Sequence, residues 1–405
     1  MPTLNRRHFL GGSAAAGAAW AGGLPGAARA AEPDLAAGLP AGVRASAVLD
    51  ALPGKKPLIK LSYRPPNYET PIAYFREAIT PNDAFFVRYH LAVIPEIDVK
   101  TWTISVGGDG ANAQAQLTLQ DLQALPAAEV IAVNQCSGNR RGLFQPHVLG
   151  VEWGYGAMGC ARWRGARLKD VLDKVGLKKD AIEIVFDGAD GPVVDKTPDF
   201  IKSIPVWKAT EDTTLIAYEM NGQPLPHFNG YPARLVVPGW TGTYWMKHLT
   251  SIKALLKPEP SFWMSAAYRI PLGKFPLVAR FTSQDAAANT PITEMLVNSL
   301  ITSHSDGDAV KVDSPLGGIA WDGGYGIRTV EISSDGGKTW GAATLGTDLG
   351  RYAFRTWSFP LRNKGQQTMM ARASNAIGET QTAELILNPA GYHHNLMHSV
   401  ALTVV

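Results

Sequence analysis

The chain has 405 residues, of which 45% are hydrophobic and 18% are charged. It is long and apolar enough to bury a substantial core, and its length predicts about two domains. The formal net charge of +3 is too small to indicate nucleic-acid binding, although small anionic substrates remain possible.

The N-terminal residues precede the predicted folded domains. Asn5-Arg6-Arg7-His8-Phe9-Leu10 resembles a Tat export signal, and Ala28-Arg29-Ala30 resembles its cleavage site. We therefore expect residues 1–31 to be a Tat signal peptide and the protein to be periplasmic, with an uncleaved anchor as the alternative. No later window offers about 18 apolar residues, so no membrane span is expected. Residues 32–66 are rich in Ala, Gly, Leu and Pro, which indicates a connecting arm on the surface.

The first predicted strand of the folded part is 84–91, which is aromatic and β-branched. Arg88 and His90 are two residues apart, so on a strand both side chains would share a face with Phe86. Such a face can present a cation and an imidazole to an anion. The alternative is a salt-bridged sheet face without chemistry.

The run NQCSGNRR at 134–141 is the main functional candidate. It follows the apolar segment 129–133, which predicts a buried strand. Cys136 then lies at a strand-to-loop corner before Arg140 and Arg141, whose fixed charges favour a thiolate. A thiolate binds soft metals and guanidinium groups bind oxyanions, so the run can hold a metal beside an anionic substrate. A buried structural cysteine beside a surface arginine pair is the alternative.

Two cysteines, Cys136 and Cys160, allow at most one disulfide. A bridge would remove the proposed ligand, so we expect both thiols to be unpaired. Downstream of them, 163–176 has the apolar spacing of a helix. Residues 181–190 predict a strand that ends in aspartates. Aspartates at such a position more often cap a turn than act in catalysis or binding. Residues 215–222 predict a strand closed by an Asn-Gly hairpin turn.

Two cations and a phenol follow. Arg234 begins an apolar strand, and Lys247 lies beyond a Gly-Thr-Gly-Thr turn. Together they can bind a phosphate dianion, although each can equally be a solvated surface charge. Tyr268 stands beside another arginine, and its alternative role is that of a core tyrosine with its hydroxyl at the surface.

The sequence changes character from residue 285. A linker at 285–291 is followed by short predicted strands at 327–334, 353–359 and 368–373, the first closing a hairpin around Asp335-Gly336-Gly337. About 115 residues of this kind predict a seven-stranded immunoglobulin-like β-sandwich that serves subunit association. Arg355, on one of these strands, can reach toward the first domain.

Seven motifs spread along the mature chain resemble the sulfite oxidase family of mononuclear molybdenum enzymes. They are FFVRYH (85–90), NQCSGNRR (134–141), ARWRGARLKDVL (161–172), YEMNGQPLP (218–226), GYPARLVVPG (230–239), SSDGGKTW (333–340) and NPAGYHHN (388–395). Within the family, the resemblance is strongest to catalytic subunits of bacterial periplasmic sulfite dehydrogenases. It implies an α+β fold, with a mixed α/β molybdopterin domain at 67–284 followed by a dimerisation-type immunoglobulin-like β-sandwich at 285–405.

The resemblance also implies a ligand set. Cys136 would be the protein thiolate on molybdenum, completed by one molybdopterin and oxygens. The pterin and its phosphate would contact Phe86, Arg88, Tyr89, His90, Asp190, Ser203, Asn229, Arg234, Trp245, Met246 and Lys247. The substrate pocket would contain Arg88, Arg141, Tyr268 and Arg355. Two positions depart from animal members: Asn229 replaces a histidine, and Leu149 replaces a lysine in a shortened loop.

The implied reaction is oxidation of sulfite to sulfate, with electrons passed singly to a separate c-type cytochrome. The chain has no Cys-x-x-Cys-His sequence, so no haem is expected in it. A homodimer and a heterodimer both remain open. The alternatives are a methionine-sulfoxide reductase, whose relatives resemble only the first domain, an assimilatory nitrate reductase, which carries fused haem and flavin domains, and a catalytically silent binding protein.

Overall fold

β-Strands, and few helices, make up the regular secondary structure of the described residues. The structure is a computed structural model that describes residues 48–271 and 289–405. The expected signal peptide, the first part of the arm and most of the expected linker lie outside these residues. Within them, no helix is long and apolar enough to cross a membrane.

The strands of the described residues are numbered in chain order. The N-terminal part contains β1 (Val48–Asp50), β2 (Leu58–Ser62), β3 (Asn67–Glu69), β4 (Val87–Arg88), β5 (Ile104–Gly107), β6 (Ala115–Leu117), β7 (Ala127–Gln135), β8 (Met158–Arg167), β9 (Glu183–Gly188), β10 (Lys202–Pro205), β11 (Leu215–Met220), β12 (Gln223–Pro224), β13 (Arg234–Val236), β14 (Leu249–Leu255), β15 (Arg269–Pro271) and β16 (Asn289–Pro291). The C-terminal part contains β17 (Asn298–Ile301), β18 (Ala309–Val310), β19 (Pro315–Trp321), β20 (Ile327–Ser333), β21 (Gly341–Ala342), β22 (Thr344–Leu345), β23 (Arg355–Pro360), β24 (Gly365–Asn375) and β25 (His398–Val404).

Helices are short and connect these strands. The α-helices are α1 (Leu119–Ala124), α2 (Leu168–Leu172), α3 (Val206–Ala209) and α4 (Phe262–Ser265), and 3-10 turns occur at Ile72–Phe75, Arg141–Leu143, His227–Asn229 and Gly242–Tyr244. α1 begins with a capping box, in which the Thr118 hydroxyl accepts from the Asp121 backbone and the Asp121 carboxylate accepts from the Thr118 backbone. This reciprocal pairing satisfies donors that a helix start leaves unpaired.

Two sheets form the body of the first domain. One has the strand order β10-β9-β14-β5-β6, with β14 and β5 parallel, and the other has the order β12-β11-β8-β7, with β13 also paired to β11. β7 pairs with β8 without interruption from Ala127 opposite Ala166 to Gln135 opposite Met158. Because β7 ends at Gln135, this pairing fixes the backbone from which Cys136 begins the next loop.

Two predicted elements of this domain are wrong in kind or length. Residues 163–176 are not one helix: Trp163 to Arg167 belong to β8, which pairs with β7 on one side and β11 on the other, and only α2 is helical. Of 84–91, only Val87 and Arg88 form a strand. The spacing of apolar residues cannot reveal strand partners that lie far along the chain, and those partners decide both cases.

The arm is not a surface segment in its described part. β1, β2, β3 and β4 form an antiparallel sheet, and Leu58 is fully buried against Tyr68, Val87 and Tyr89. The expectation of a connecting arm on the surface is therefore corrected for these residues. Through β2 and β3, strand pairing connects this segment to β4, which contains Arg88.

The C-terminal domain consists of two sheets around one core. Their strand orders are β17-β19-β23-β22 and β18-β25-β24-β20-β21. Side chains from both sheets meet in a shared apolar cluster that includes Ile301, Trp357, Ile332 and Ala371. The hairpin predicted around Asp335 is confirmed by the pairing of β20 with β21. The described sandwich has nine strands, where the sequence predicted seven.

The second domain contacts the first at the end of β7. The backbone N–H of Val133 donates to the Tyr352 carbonyl at 2.9 Å, and the Trp321 indole donates to Gln135 Oε1 at 2.6 Å. Arg140, in the cysteine loop, donates from Nη2 to the Ser299 carbonyl at 2.9 Å. Both domains therefore fix the loop that carries Cys136.

Candidate active site

Cys136 is the first residue after β7 and is held by the backbone. Its N–H donates to the Ala157 carbonyl at 2.8 Å, and its carbonyl accepts from Asn139 at 2.9 Å. The thiol is unpaired and buried, as is that of Cys160, which confirms the expectation that neither forms a disulfide. The two sites differ, because Cys136 lines a pocket whereas Cys160 packs in the apolar cluster between the domains.

The pocket collects residues from segments that are distant in sequence. Most of the predicted site residues line it: Phe86, Arg88, Tyr89, His90, Cys136, Asp190, Asn229, Arg234, Trp245, Met246, Lys247 and Tyr268. Phe85, Asn134, Ser137, Phe200, Phe228, Gly242 and Thr243 complete its wall. The thiol thus faces a space walled by aromatic rings and cations.

Arg234 and Lys247 are held rigidly by their surroundings. Arg234 donates to the carbonyls of Asn229 and Trp245 at 2.9 and 3.0 Å, and its guanidinium lies over the Trp163 ring at 5.1 Å. The Lys247 ammonium lies 2.8 Å from the centre of the Tyr89 ring. Each cation is therefore placed before any ligand arrives.

Cationic side chains outnumber carboxylates among the residues that line this pocket. Burial lowers the pKa of Lys247 well below its usual value, and Arg234 and Arg88 add to that effect while Asp190 opposes it. Burial likewise lowers the pKa of Arg234 to about 9. Asp190 is the sole carboxylate among the lining residues, and burial raises its pKa. Cations held in this way stabilise a bound anion more than solvated ones do.

His90 and Tyr268 form a hydrogen-bonded pair in the pocket wall. The His90 ring stacks on Phe200 with centroids 3.6 Å apart. Burial, and then the charge of Arg88, hold the pKa of His90 well below its usual value, so the imidazole is neutral. Burial also raises the pKa of Tyr268. The pair therefore offers a neutral donor and acceptor near the thiol.

Arg141, in the cysteine loop, is not among the residues that line the pocket, but its charge acts on His90 and Tyr268 in the pocket wall. Its guanidinium lies so close over Gly138 that a Cβ at that position would come within 2.5 Å of Cζ, which explains the glycine two residues after Cys136. Nε donates to the Ala390 carbonyl at 2.9 Å, and Cζ lies 5.2 Å from the centre of the Tyr392 ring. The second domain therefore holds this guanidinium.

Tyr392 is a site residue that the sequence did not identify. Its ring stacks on Tyr268 with centroids 5.5 Å apart and an interplanar angle of 20°. Asn388 fixes the turn, because its amide donates to the Tyr392 carbonyl at 2.7 Å and accepts from the Tyr392 N–H at 3.0 Å. The motif NPAGYHHN contained this tyrosine, but nothing in the sequence placed it opposite Tyr268.

Comparison with known proteins agrees with this geometry. Residues 90–263 match the oxidoreductase molybdopterin binding domain, and residues 289–405 match the Mo-co oxidoreductase dimerisation domain. Mitochondrial sulfite oxidase of Rattus norvegicus is 34% identical over 87% of this chain and 67% of its own length. Sulfite oxidase of Arabidopsis thaliana is 33% identical over 76% of this chain and 81% of its own length. The chain belongs to the sulfite oxidase family of molybdenum enzymes.

A solved structure extends the agreement to the whole fold. The sulfane dehydrogenase SoxCD of Paracoccus pantotrophus superimposes with a TM-score of 0.73 over 95% of this chain and 96% of that chain, at 22% identity. The sulfite oxidase family fold, a molybdopterin domain followed by a dimerisation domain, therefore holds for this chain.

The pocket's donor set fits the family cofactor. Among the described residues that line the pocket, four have a buried atom without a hydrogen-bond partner: Asn134 Oδ1, Ser137 Oγ, Arg234 Nε and Thr243 Oγ1. Buried polar atoms are rarely left unpaired, so these are groups that a polar ligand would meet. With one free thiol and a cationic wall, the site suits a phosphorylated, sulfur-ligated metal cofactor.

Two residues expected from the family resemblance lie elsewhere. Arg355 on β23 pairs with Asp348 at 3.2 Å and lines a different cleft of the second domain. Ser203 donates to Glu183 at 2.5 Å and lines a neighbouring groove. Both assignments are corrected: strand pairing of β23 holds Arg355 beside the loop that carries Asp348, and alternation along β10 turns Ser203 away from the site.

The same alternation brings Lys202 to the site, which the sequence did not predict. Its ammonium donates to the Trp263 carbonyl at 2.6 Å and lies 5.2 Å from the centre of the Tyr268 ring. Burial lowers its pKa to about 7. The only sequence signal was its place beside Ser203, which the family resemblance assigned to the cofactor site.

Proposed function

We propose that this protein oxidises sulfite to sulfate in the periplasm and passes the electrons, one at a time, to a separate c-type cytochrome. The observation that carries the proposal is the free thiol of Cys136 in a pocket lined by Arg88, Arg234 and Lys247. The names of the relatives at 33 to 34% identity support the reaction. The twin-arginine sequence near the N-terminus supports export.

The cofactor would be molybdenum with one molybdopterin, held by the residues that line the pocket. Cys136 would ligate the metal through Sγ. Arg234 and Lys247 would bind the phosphate, and Asp190, Trp245 and Met246 would contact the pterin. When bound, the cofactor supplies the two-electron oxidation and the oxygen that sulfite gains.

Arg88 and Arg141 would replace the water that sulfite sheds on entry. Guanidinium groups bind oxyanions through paired donors, and fixed donors in a water-poor site are stronger than those in solution. Arg88 is braced by the Tyr89 carbonyl and by Asn67, and Arg141 by the Ala390 carbonyl. Neither group has to reorganise when the anion arrives.

Tyr268 and His90 would handle the proton that accompanies oxidation. Conversion of sulfite and water to sulfate releases protons as well as electrons. The hydrogen bond between Tyr268 Oη and His90 Nε2 joins two neutral groups, so a proton would leave through the phenol only if Tyr268 takes up one proton as it gives up another, because transfer between the pair alone would create a buried ion pair. The phenol of Tyr268 would also orient the substrate through a hydrogen bond.

The second domain would serve association between subunits. We propose that its two sheets are an immunoglobulin-like sandwich, which the match to a dimerisation domain supports. The partner would be a second copy of this chain or the cytochrome itself.

Purified protein should contain molybdenum and pterin, show no haem absorbance, and reduce cytochrome c when sulfite is added. Methionine sulfoxide with a reduced dye is the control substrate for the alternative reductase. The proposal would be refuted if the molybdenum-containing protein reduces methionine sulfoxide but does not oxidise sulfite. A haem absorbance that belongs to this polypeptide would refute the assignment of a separate acceptor.

A further inference from the structure

Lys55 is buried between the arm and the pocket wall. It lies in the turn between β1 and β2, and only 8% of its surface is exposed to solvent. Its ammonium donates to the Asn82 carbonyl at 2.6 Å, to the Phe85 carbonyl at 3.1 Å and to Asn229 Oδ1 at 2.5 Å. All three acceptors are uncharged. The nearby Asp83 forms its ion pair with Lys56 instead, at 3.3 Å.

A buried ammonium among neutral acceptors is unfavourable unless an anion compensates it. Burial lowers the pKa of Lys55 to about 7, although the charge of Asp83 opposes the effect. A methionine would fill a buried site of this size without that cost. The position of Lys55 therefore calls for a role for its charge or its donors.

The contacts of Lys55 lead directly to the pocket. Asn229, which accepts from Lys55, donates through Nδ2 to the Phe86 carbonyl at 3.1 Å, and its own carbonyl accepts from Arg234 at 2.9 Å. Through these hydrogen bonds, Lys55 links the part of the pocket wall around Phe85 to the part that contains Arg234. Its charge also reaches the pocket, because it contributes to the lowered pKa of Lys247.

We propose that Lys55 is a positioning residue for the phosphate of the bound pterin. It acts through Asn229, whose side chain is occupied by Lys55 and Phe86, and it adds a positive charge behind the wall that Arg234 and Lys247 present. The phosphate dianion would compensate this charge on binding. The inference rests on the proposed cofactor, and it gives the arm a function in closing the site.

Lys55→Met tests the proposal, with Lys56→Met as the matched control because Lys56 is the adjacent lysine and its side chain is partly exposed. Each variant and the parent are prepared with pterin and, from cells that cannot make it, without pterin. The readouts are the difference in melting temperature between the two forms and the rate of pterin release, followed by fluorescence. We expect Lys55→Met to shrink the difference and to release pterin about tenfold faster, which equals about 1.4 kcal/mol, whereas Lys56→Met matches the parent.

A merely structural lysine predicts a different result. Both forms of Lys55→Met would then melt lower by the same amount, with parental pterin release, and that outcome would overturn the inference. Unchanged melting of both forms would overturn it too. If the parent itself carries no pterin, the proposed function fails first, so the two failures are distinguishable.

Asn229→Asp provides a second test should Lys55→Met not fold. It leaves the ammonium in place and gives it a carboxylate partner. Both forms lose the hydrogen bond from Asn229 Nδ2 to the Phe86 carbonyl, but we expect the melting temperature of the pterin-loaded form to fall further, because the carboxylate competes with the phosphate. An undiminished difference between the two forms of this variant would contradict the role of Lys55.

Discussion

Replacement of Tyr392 by alanine should weaken sulfite oxidation without removing the cofactor. The ring of Tyr392 supports two groups of the site: the Arg141 guanidinium, 5.2 Å from its centre, and the Tyr268 ring, which stacks on it at 5.5 Å. Arg141 keeps its hydrogen bond to Ala390 in the variant, but it loses the surface that limits its rotation. We therefore expect a higher KM for sulfite and a smaller change in kcat.

The size of the effect follows from the contact that is lost. A largely buried guanidinium over an aromatic ring contributes about 1 to 2 kcal/mol. This corresponds to a fall of about five- to thirtyfold in kcat/KM. Truncation of a buried tyrosine also leaves a cavity that costs about 3 to 5 kcal/mol of unfolding free energy, so the assay should be run well below the melting temperature.

Steady-state sulfite oxidation and competitive inhibition by sulfate measure this effect, with Tyr392→Phe as the matched control. The phenylalanine ring keeps the contact with Arg141, so this variant should remain close to the parent. Sulfate should bind more weakly to Tyr392→Ala by a factor similar to the rise in KM. Parental kcat/KM in Tyr392→Ala, or equal losses in both variants, would refute the role of the ring.

Three further predictions concern other parts of the structure. Gly391→Ala should also raise KM for sulfite, because Gly391 has φ +62° and a Cβ there would come within 2.8 Å of Arg141 Cγ; a parental KM would contradict the contact. Arg355→Gln should leave the KM for sulfite unchanged, because the ion pair of Arg355 lies in the second domain. A raised KM would show that Arg355 acts at the site. The unfolding free energy should fall less between pH 7 and pH 5 in His398→Asn than in the parent. Burial lowers the pKa of His398 to about 3, so its contribution is present above pH 6.5 and is lost as pH falls, by about 2 kcal/mol at pH 5; equal acid sensitivity in the variant and the parent would contradict this.

Cys136 and Arg234 could be predicted as site residues because each adjoins a strongly patterned apolar segment. The apolar run before Cys136 does form β7, and Arg234 does begin β13. A strand end projects the next residues into a loop, where chemistry usually resides. The local sequence therefore contains enough information to place these residues.

Other parts of the site depend on contacts between distant segments. Lys55 gains its place only when the arm pairs with β3, and Tyr392 only when a turn of the second domain packs over Tyr268. Arg355 was misassigned for the same reason, because a strand position alone does not say which domain its side chain meets. The predicted helix at 163–176 failed because its first residues pair with β7 and β11.

The central claim is that Cys136 supplies a sulfur ligand to molybdenum, and X-ray absorption at the metal tests it most directly. The matched pair is Cys136→Ser and Cys160→Ala, since Cys160 is a buried thiol outside the pocket. We predict that Cys136→Ser folds, loses one molybdenum–sulfur neighbour and stops oxidising sulfite, whereas Cys160→Ala retains both. An unchanged sulfur shell or near-normal turnover in Cys136→Ser would contradict the account.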